Sequence, residues 1–149
     1  MSAESDFSAE EMRVLRPLFL SSSDGYLKEI RRILALAVER GALAADTLQT
    51  LHRAIHSLKG SAFQIGLAPI GDVAKVMEQV VLGLQVAGDG DPRVWTAALE
   101  RGVAQLEANY EALRTEAELP PPDPALLAQL TQLAADLDAQ GGGQEAVGS

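Results

Sequence analysis

The sequence has no cysteine in its 149 residues, which excludes a disulfide framework, a thiolate zinc site and a cysteine nucleophile, and fits a reducing cytosol. No stretch reaches the roughly 18 uninterrupted apolar residues that a membrane-spanning helix needs. The opening "MSAESDFSAEEMRVLRPLFL" has early acids where a secretory leader has a basic region before its apolar core. A soluble, unexported, cytoplasmic protein without a membrane partner is expected. Positive charge is also scarce: 12 basic against 21 acidic side chains give a net charge of −9, which repels a phosphate backbone, so nucleic acid is not expected as a partner. Strand-like alternation of β-branched residues is missing, and no internal repeat is found.

What is present is alanine and leucine, with apolar residues recurring three and four apart, in a chain long enough for one domain with a real core. The pattern predicts an all-α protein. Ser8 and Glu11 have the spacing of a capping box and start a helix running to about residue 19, which "SSSDG" at 21–25 breaks. Leu27, Ile30, Ile33, Leu34, Ala37 and Val38 form an apolar stripe ended by Gly41. A third helix is expected from Asp46, as N-cap, to Ile65, with Gly66 as its stop. Pro69 opens the next, striped by Ile70, Val73, Met77, Val80, Val81 and Leu84 before "AGDGDP". Asp91 and Pro92 begin a long helix to about residue 118, with Trp95, Leu99, Val103, Leu106, Tyr110 and Leu113 at core spacing, stopped by "PPPDP". A last amphipathic segment spans 125–139 and precedes "GGGQEAVGS", read as a disordered tail or linker. Short connections between these helices favour antiparallel neighbours. The expected architecture is therefore an antiparallel up-and-down four-helix bundle over residues 24–118. An N-terminal segment with an accessory helix lies at 1–23, a Pro-rich stop with a C-terminal helix at 119–140, and a tail at 141–149.

The third helix carries "HRAIHSLKGSAFQIGL" at 52–67. Advancing about 100° per residue from His56, the residues Leu51, Ala54, Ile55, Leu58, Ala62 and Ile65 gather on one arc, which is the core face. His52, Lys59, Gly60 and Phe63 fall within roughly 60° of His56 on the other side of the cylinder. His56 therefore faces water. A glycine inside a helix costs roughly 1 kcal/mol relative to alanine, so Gly60 points to a reason other than helix stability: it bares the surface beside the imidazole for close approach by another molecule. Phe63 leaves an aromatic ring on the same face, and a bare, partly apolar patch around a titratable group suggests docking.

The string "HSLKGSAFQIG" resembles the phosphorylation-site motif of histidine phosphotransfer (HPt) domains, H-x-x-K-G-S followed by a glycine near the helix end; His56, Lys59, Gly60, Ser61 and Gly66 match it. The resemblance covers about residues 24–118 and is greatest to the phosphotransfer modules of chemotaxis-type histidine kinases. It implies a histidine phosphocarrier that takes a phosphoryl group on His56 from a kinase or receiver and passes it to a receiver-domain aspartate. A glutamate on the following helix hydrogen-bonds the histidine in those modules, and Glu78 in "VAKVMEQVV" stands at the matching place. A second histidine that some of them carry one turn before that glutamate is Lys75 here.

The exposed imidazole is expected to hold a labile phosphoramidate. Lys59, about one turn away, offsets part of the phosphoryl charge, and Glu78 fixes the ring tautomer so that the other nitrogen stays nucleophilic. His52, Ser61 and Phe63 are assigned to the docking surface, although an inward bend near Gly66 would instead tuck Phe63 into the bundle. The expected partners are a histidine kinase and a response-regulator receiver domain. No ATP-binding or receiver domain is visible in the sequence, so the chain is not read as an enzyme, and no cofactor is expected, Mg²⁺ belonging to the partner. Two alternatives stand beside this reading. One is a helical interaction module that is never phosphorylated. The other, ranked below it, is a metal site on the i, i+4 pair His52 and His56 joined by Glu78, for which two histidines are few ligands and the glutamate of an HExxH motif is missing.

Overall fold

Ser8 caps the first helix as its spacing with Glu11 predicts: the Glu11 N–H donates to Ser8 Oγ at 3.1 Å, and the Ser8 N–H to Glu11 Oε1 at 3.0 Å. In the computed structural model, which describes residues 7–87 and 91–148 with the side chains of 142–148 excepted, that helix, α1, runs unbroken over Ala9–Arg40. The expected break at 21–25 is therefore wrong, and among the described residues no separate accessory helix precedes the bundle. The reason lies in where the serine hydroxyls go. Ser21 donates to the carbonyl of Leu18 at 3.3 Å, and Ser22 and Ser23 donate to that of Phe19 at 3.3 and 2.6 Å, so all three turn back onto the helix's own carbonyls. Ser23 is fully buried and its Oγ accepts from the Tyr110 hydroxyl at 2.7 Å, while the Tyr110 ring meets Phe19 edge-on with centroids 5.7 Å apart. Packing across the bundle outweighs the weak helix propensity of serine and glycine.

The next boundaries follow from backbone chemistry. Gly41 and Gly66 adopt left-handed conformations, φ 78° and 77°, and end α1 and α2, as the sequence predicts. Helix α2 covers Ala45–Gln64 with Ala44 in the N-cap place and no side-chain cap. Asp46, expected as the cap, instead sits within the first turn, where its charge complements the helix dipole. Helix α3 covers Ala68–Ala87 with Pro69 in its first turn, and α4 covers Pro92–Arg114, capped by Asp91, whose carboxylate accepts from the Arg93 N–H at 3.0 Å. It ends short of 118, followed by Glu116 at φ 58°. Helix α5 spans Pro124–Gly148. The residues expected as a disordered tail thus continue this helix as far as they are described. Gly141 is buried against Val86 of α3, a contact that a side chain there would obstruct.

Helix α1 packs on α2 and α4, and α3 packs on the same two, so four helices close a ring around the core; α5 lies along α3 and touches α4. The approach of α5 is close at Gly83, where a Cβ would stand 2.8 Å from the Cβ of Leu137. The predicted stripes of α3 and α4 are all buried. Val38, assigned to the stripe of α1, is 64 % exposed, leaving Leu27, Ile30, Ile33, Leu34 and Ala37 as its core face. Among the described residues, no helix is long and apolar enough to cross a membrane.

Candidate functional site

Two adjacent helices build the site. On α2 the apolar arc Leu51, Ala54, Ile55, Leu58 and Ala62 is buried, so the opposite arc, with His56 at its centre, is turned outward. The His56 side chain is 60 % exposed. On α3, Glu78 sits at the edge of the buried stripe and is, among the described residues, the one buried carboxylate.

The two helices meet through that carboxylate. His56 Nδ1 lies 2.6 Å from Glu78 Oε2, His52 Nε2 lies 3.0 Å from the same oxygen, and Lys59 Nζ lies 2.6 Å from Oε1. Burial pushes the Glu78 carboxyl up, but the hydrogen bonds from Lys59 and His56 and the charges behind them outweigh it and hold it below the ordinary carboxylate value. An ionised carboxylate only accepts hydrogen bonds, so the protons lie on Nδ1 of His56 and Nε2 of His52. In a neutral imidazole the other nitrogen then keeps its lone pair. For His56 that nitrogen is Nε2, on the side of the exposed ring away from Glu78. The arrangement can present an oriented nucleophile to a molecule docking from solvent.

The expected site residues divide accordingly. His56, Lys59 and Glu78 are brought together. His52, assigned to a docking surface, is instead drawn down onto Glu78, with its side chain 22 % exposed and its ring stacked at 5.8 Å on that of His56. Lys75, at the position where some chemotaxis-type modules carry a second histidine, is exposed. The i, i+4 spacing of the two histidines was the available signal, since it sets both rings on one face; their shared partner on α3 was not legible from α2 alone. Gly60 is exposed, and a Cβ there would meet nothing within 4 Å. Ser61 is half-buried and, five residues on, lies round the helix from His56. Phe63 is 42 % exposed, with its ring laid on Gly71 of α3. Gly71 is a site-shaping residue that the sequence reading missed.

No curated protein matches the chain. The family model of the Hpt domain matches residues 14–116, from within α1 to just past the end of α4, and includes the whole His56 and Glu78 arrangement. With more than half its length matched, the chain belongs to the Hpt domain family, whose members carry phosphoryl groups on histidine in phosphorelays.

Proposed function

We propose that this chain is a phosphorelay carrier in which His56 Nε2 accepts the phosphoryl group and a receiver-domain aspartate takes it away. The observation that carries the reading is the 2.6 Å contact between His56 Nδ1 and Glu78 Oε2 on a ring otherwise open to solvent. The Nε2 lone pair attacks the donor phosphorus, and the bond from phosphorus to the donor's leaving atom breaks with its electron pair. The imidazole gains positive charge as the N–P bond forms, and Glu78, accepting from Nδ1–H, is placed to stabilise it. In the second step a receiver carboxylate oxygen attacks phosphorus, the N–P bond breaks, and its electron pair returns to Nε2. Positioning and charge, rather than covalent work by other groups of this chain, govern both steps. Lys59 can turn part of its charge toward the phosphoryl oxygens, Gly60 keeps the approach open, and the exposed part of Phe63 belongs to the surface a receiver covers. Mg²⁺ is assigned to the partner.

The finer parts of the reading rest on the same features. A chemotaxis-type module is favoured by the motif together with a glutamate on the following helix. An antiparallel up-and-down course of α1 to α4 is favoured by their short connections and by the ring in which they pack. A cytoplasmic location suits a carrier that meets a kinase and a receiver there. The test is labelling by a histidine kinase. The wild-type chain should acquire acid-labile, base-stable phosphate that a receiver removes, and His56→Gln should acquire none. Labelling retained in His56→Gln would refute the assignment.

A further inference from the structure

The carrier reading gives Glu78 a reason to face His56, and Lys59 a reason to lie beside both, but it gives none for His52. Its Nε2 converges with His56 Nδ1 on one oxygen of Glu78, and the three ligand atoms all lie within 4.8 Å of one another. Two imidazole nitrogens and a carboxylate oxygen form the donor set of a three-residue zinc-type site, which leaves a fourth place for water. With metal–ligand bonds of about 2.0–2.2 Å, tetrahedral ligands stand about 3.3 Å apart. The separations of 2.6 and 3.0 Å need to open only by fractions of an ångström to reach that. The two histidines are fixed on one helix face and Glu78 on the neighbouring helix, so the donors are assembled in advance. Lys59 need not leave: it holds Oε1 while Oε2 faces the histidines, so it can orient the ligating carboxylate from behind. The protein's net charge of −9 draws cations toward it.

We propose that His52, His56 and Glu78 form a transition-metal site of the zinc type, and that its occupation switches off His56 as a phosphoryl acceptor. The switch follows from the imidazole's two nitrogens and rests on the carrier reading above. With Glu78 accepting from Nδ1–H, the lone pair is on Nε2 and can attack phosphorus. A metal on Nδ1 takes that nitrogen's lone pair, and the single proton of the neutral ring then resides on Nε2, which becomes a donor without a lone pair to attack with. On binding, the ring proton of His52 moves from Nε2 to Nδ1 and that of His56 from Nδ1 to Nε2 by exchange with solvent, so both rings stay neutral, no proton is released overall and no electron transfer is involved. Metal and phosphoryl group thus compete for one ring without sharing an atom.

The experiment uses the full chain and Co²⁺ alone, a stand-in for zinc whose tetrahedral complexes absorb strongly in the visible. One equivalent of Co²⁺ should give that absorption, Zn²⁺ should displace it, and His52→Gln should weaken Co²⁺ binding at least tenfold. The glutamine keeps an N–H for Glu78, and circular dichroism of the variant checks its fold; His52→Ala provides a second variant. The absence of tetrahedral cobalt absorption, or equal binding by wild type and both variants, overturns the site. For the switch, the chain is labelled with phosphoramidate, which needs no kinase, with and without saturating Zn²⁺. Labelling should be suppressed by Zn²⁺ and restored by a chelator. Undiminished labelling at saturating Zn²⁺ overturns the switch, whereas no labelling even without metal overturns the carrier reading and the switch together, and the cobalt spectrum still decides the site.

Discussion

The ring of Phe63 lies across the bare backbone of Gly71, so that a Cβ on Gly71 would stand 2.6 Å from Phe63 Cε1. The aromatic is neither free on the surface nor tucked into the core: one part of it roofs α3, and the rest is open to a partner. Phe63→Ala should therefore cost about 1–2 kcal/mol in denaturant unfolding, less than the roughly 3–5 kcal/mol of a fully buried phenylalanine, and should also weaken receiver binding. Gly71→Ala should push the ring outward, with a smaller stability loss and an altered receiver Kd. Unchanged binding by both variants would remove Phe63 from the docking surface.

His56→Gln should abolish transfer and shift the unfolding midpoint little, because the side chain is 60 % exposed and exposed substitutions are usually within about 0.5 kcal/mol. Thermal melts beside phosphate labelling separate the two effects.

Gly60→Ala should stabilise α2 by up to about 1 kcal/mol, since the added methyl meets nothing in the folded protein. Transfer to a receiver should nevertheless slow, because the methyl stands where a partner approaches. Stopped-flow transfer rates decide it: a more stable and equally fast variant would contradict the close-approach role of this glycine.

Glu78 should make stability depend on pH in the acid range. Its carboxyl is held below the ordinary value of 4.5 by Lys59 and His56 against the opposing effect of burial. A group whose pKa is depressed on folding contributes stability above its unfolded pKa, and that contribution is lost as pH falls through the folded value. Wild type should thus lose stability on acidification below pH 4.5 more steeply than Glu78→Gln, as urea midpoints taken at successive pH values would reveal.

Tyr110 should act at the opposite end of the scale. Burial pushes its phenol up to about 12, against the lowering effect of the Ser23 hydrogen bond. A pKa raised on folding means stability is intact below the unfolded value of 10.0 and is lost as pH rises toward 12. Phenolate absorption should lag accordingly in the folded protein. Ser23→Ala removes the hydroxyl that Tyr110 donates to and should cost about 1–3 kcal/mol, the price of a buried donor left without a good partner.

Much of this was legible in the sequence, and the failures share a cause. The stripes of α3 and α4 could be read because periodicity reports which side of a helix is buried. The outward face of His56 followed from the same arithmetic. What could not be read were relations between helices. Ser21, Ser22, Ser23 and Gly25 look like a loop until Tyr110 and Phe19 are placed beside Ser23. His52 looks like surface until Glu78 is set opposite it, and Gly71 is one more small residue until Phe63 lies on it. The glycines at 141–143 resemble a linker, yet at Gly141 the missing side chain serves the contact of α5 with α3.

On the proposed carrier role, the Glu78 carboxylate also sets the electrical state in which a phosphoryl group would be received. Lys59 and Glu78 cancel, and with both imidazoles neutral the cradle carries no net charge. A phosphoryl group adds about −1.5 to −2 charges near neutral pH to a chain already at −9. The nearest cation is already shared with a carboxylate, so the arriving anion finds only partial compensation. A strong anion clamp would turn the labelled histidine into a sink. On the proposed carrier role, a cradle whose one cation is already matched by a carboxylate favours turnover over storage, because an acceptor that brings its own cation offers the group the compensation this site lacks.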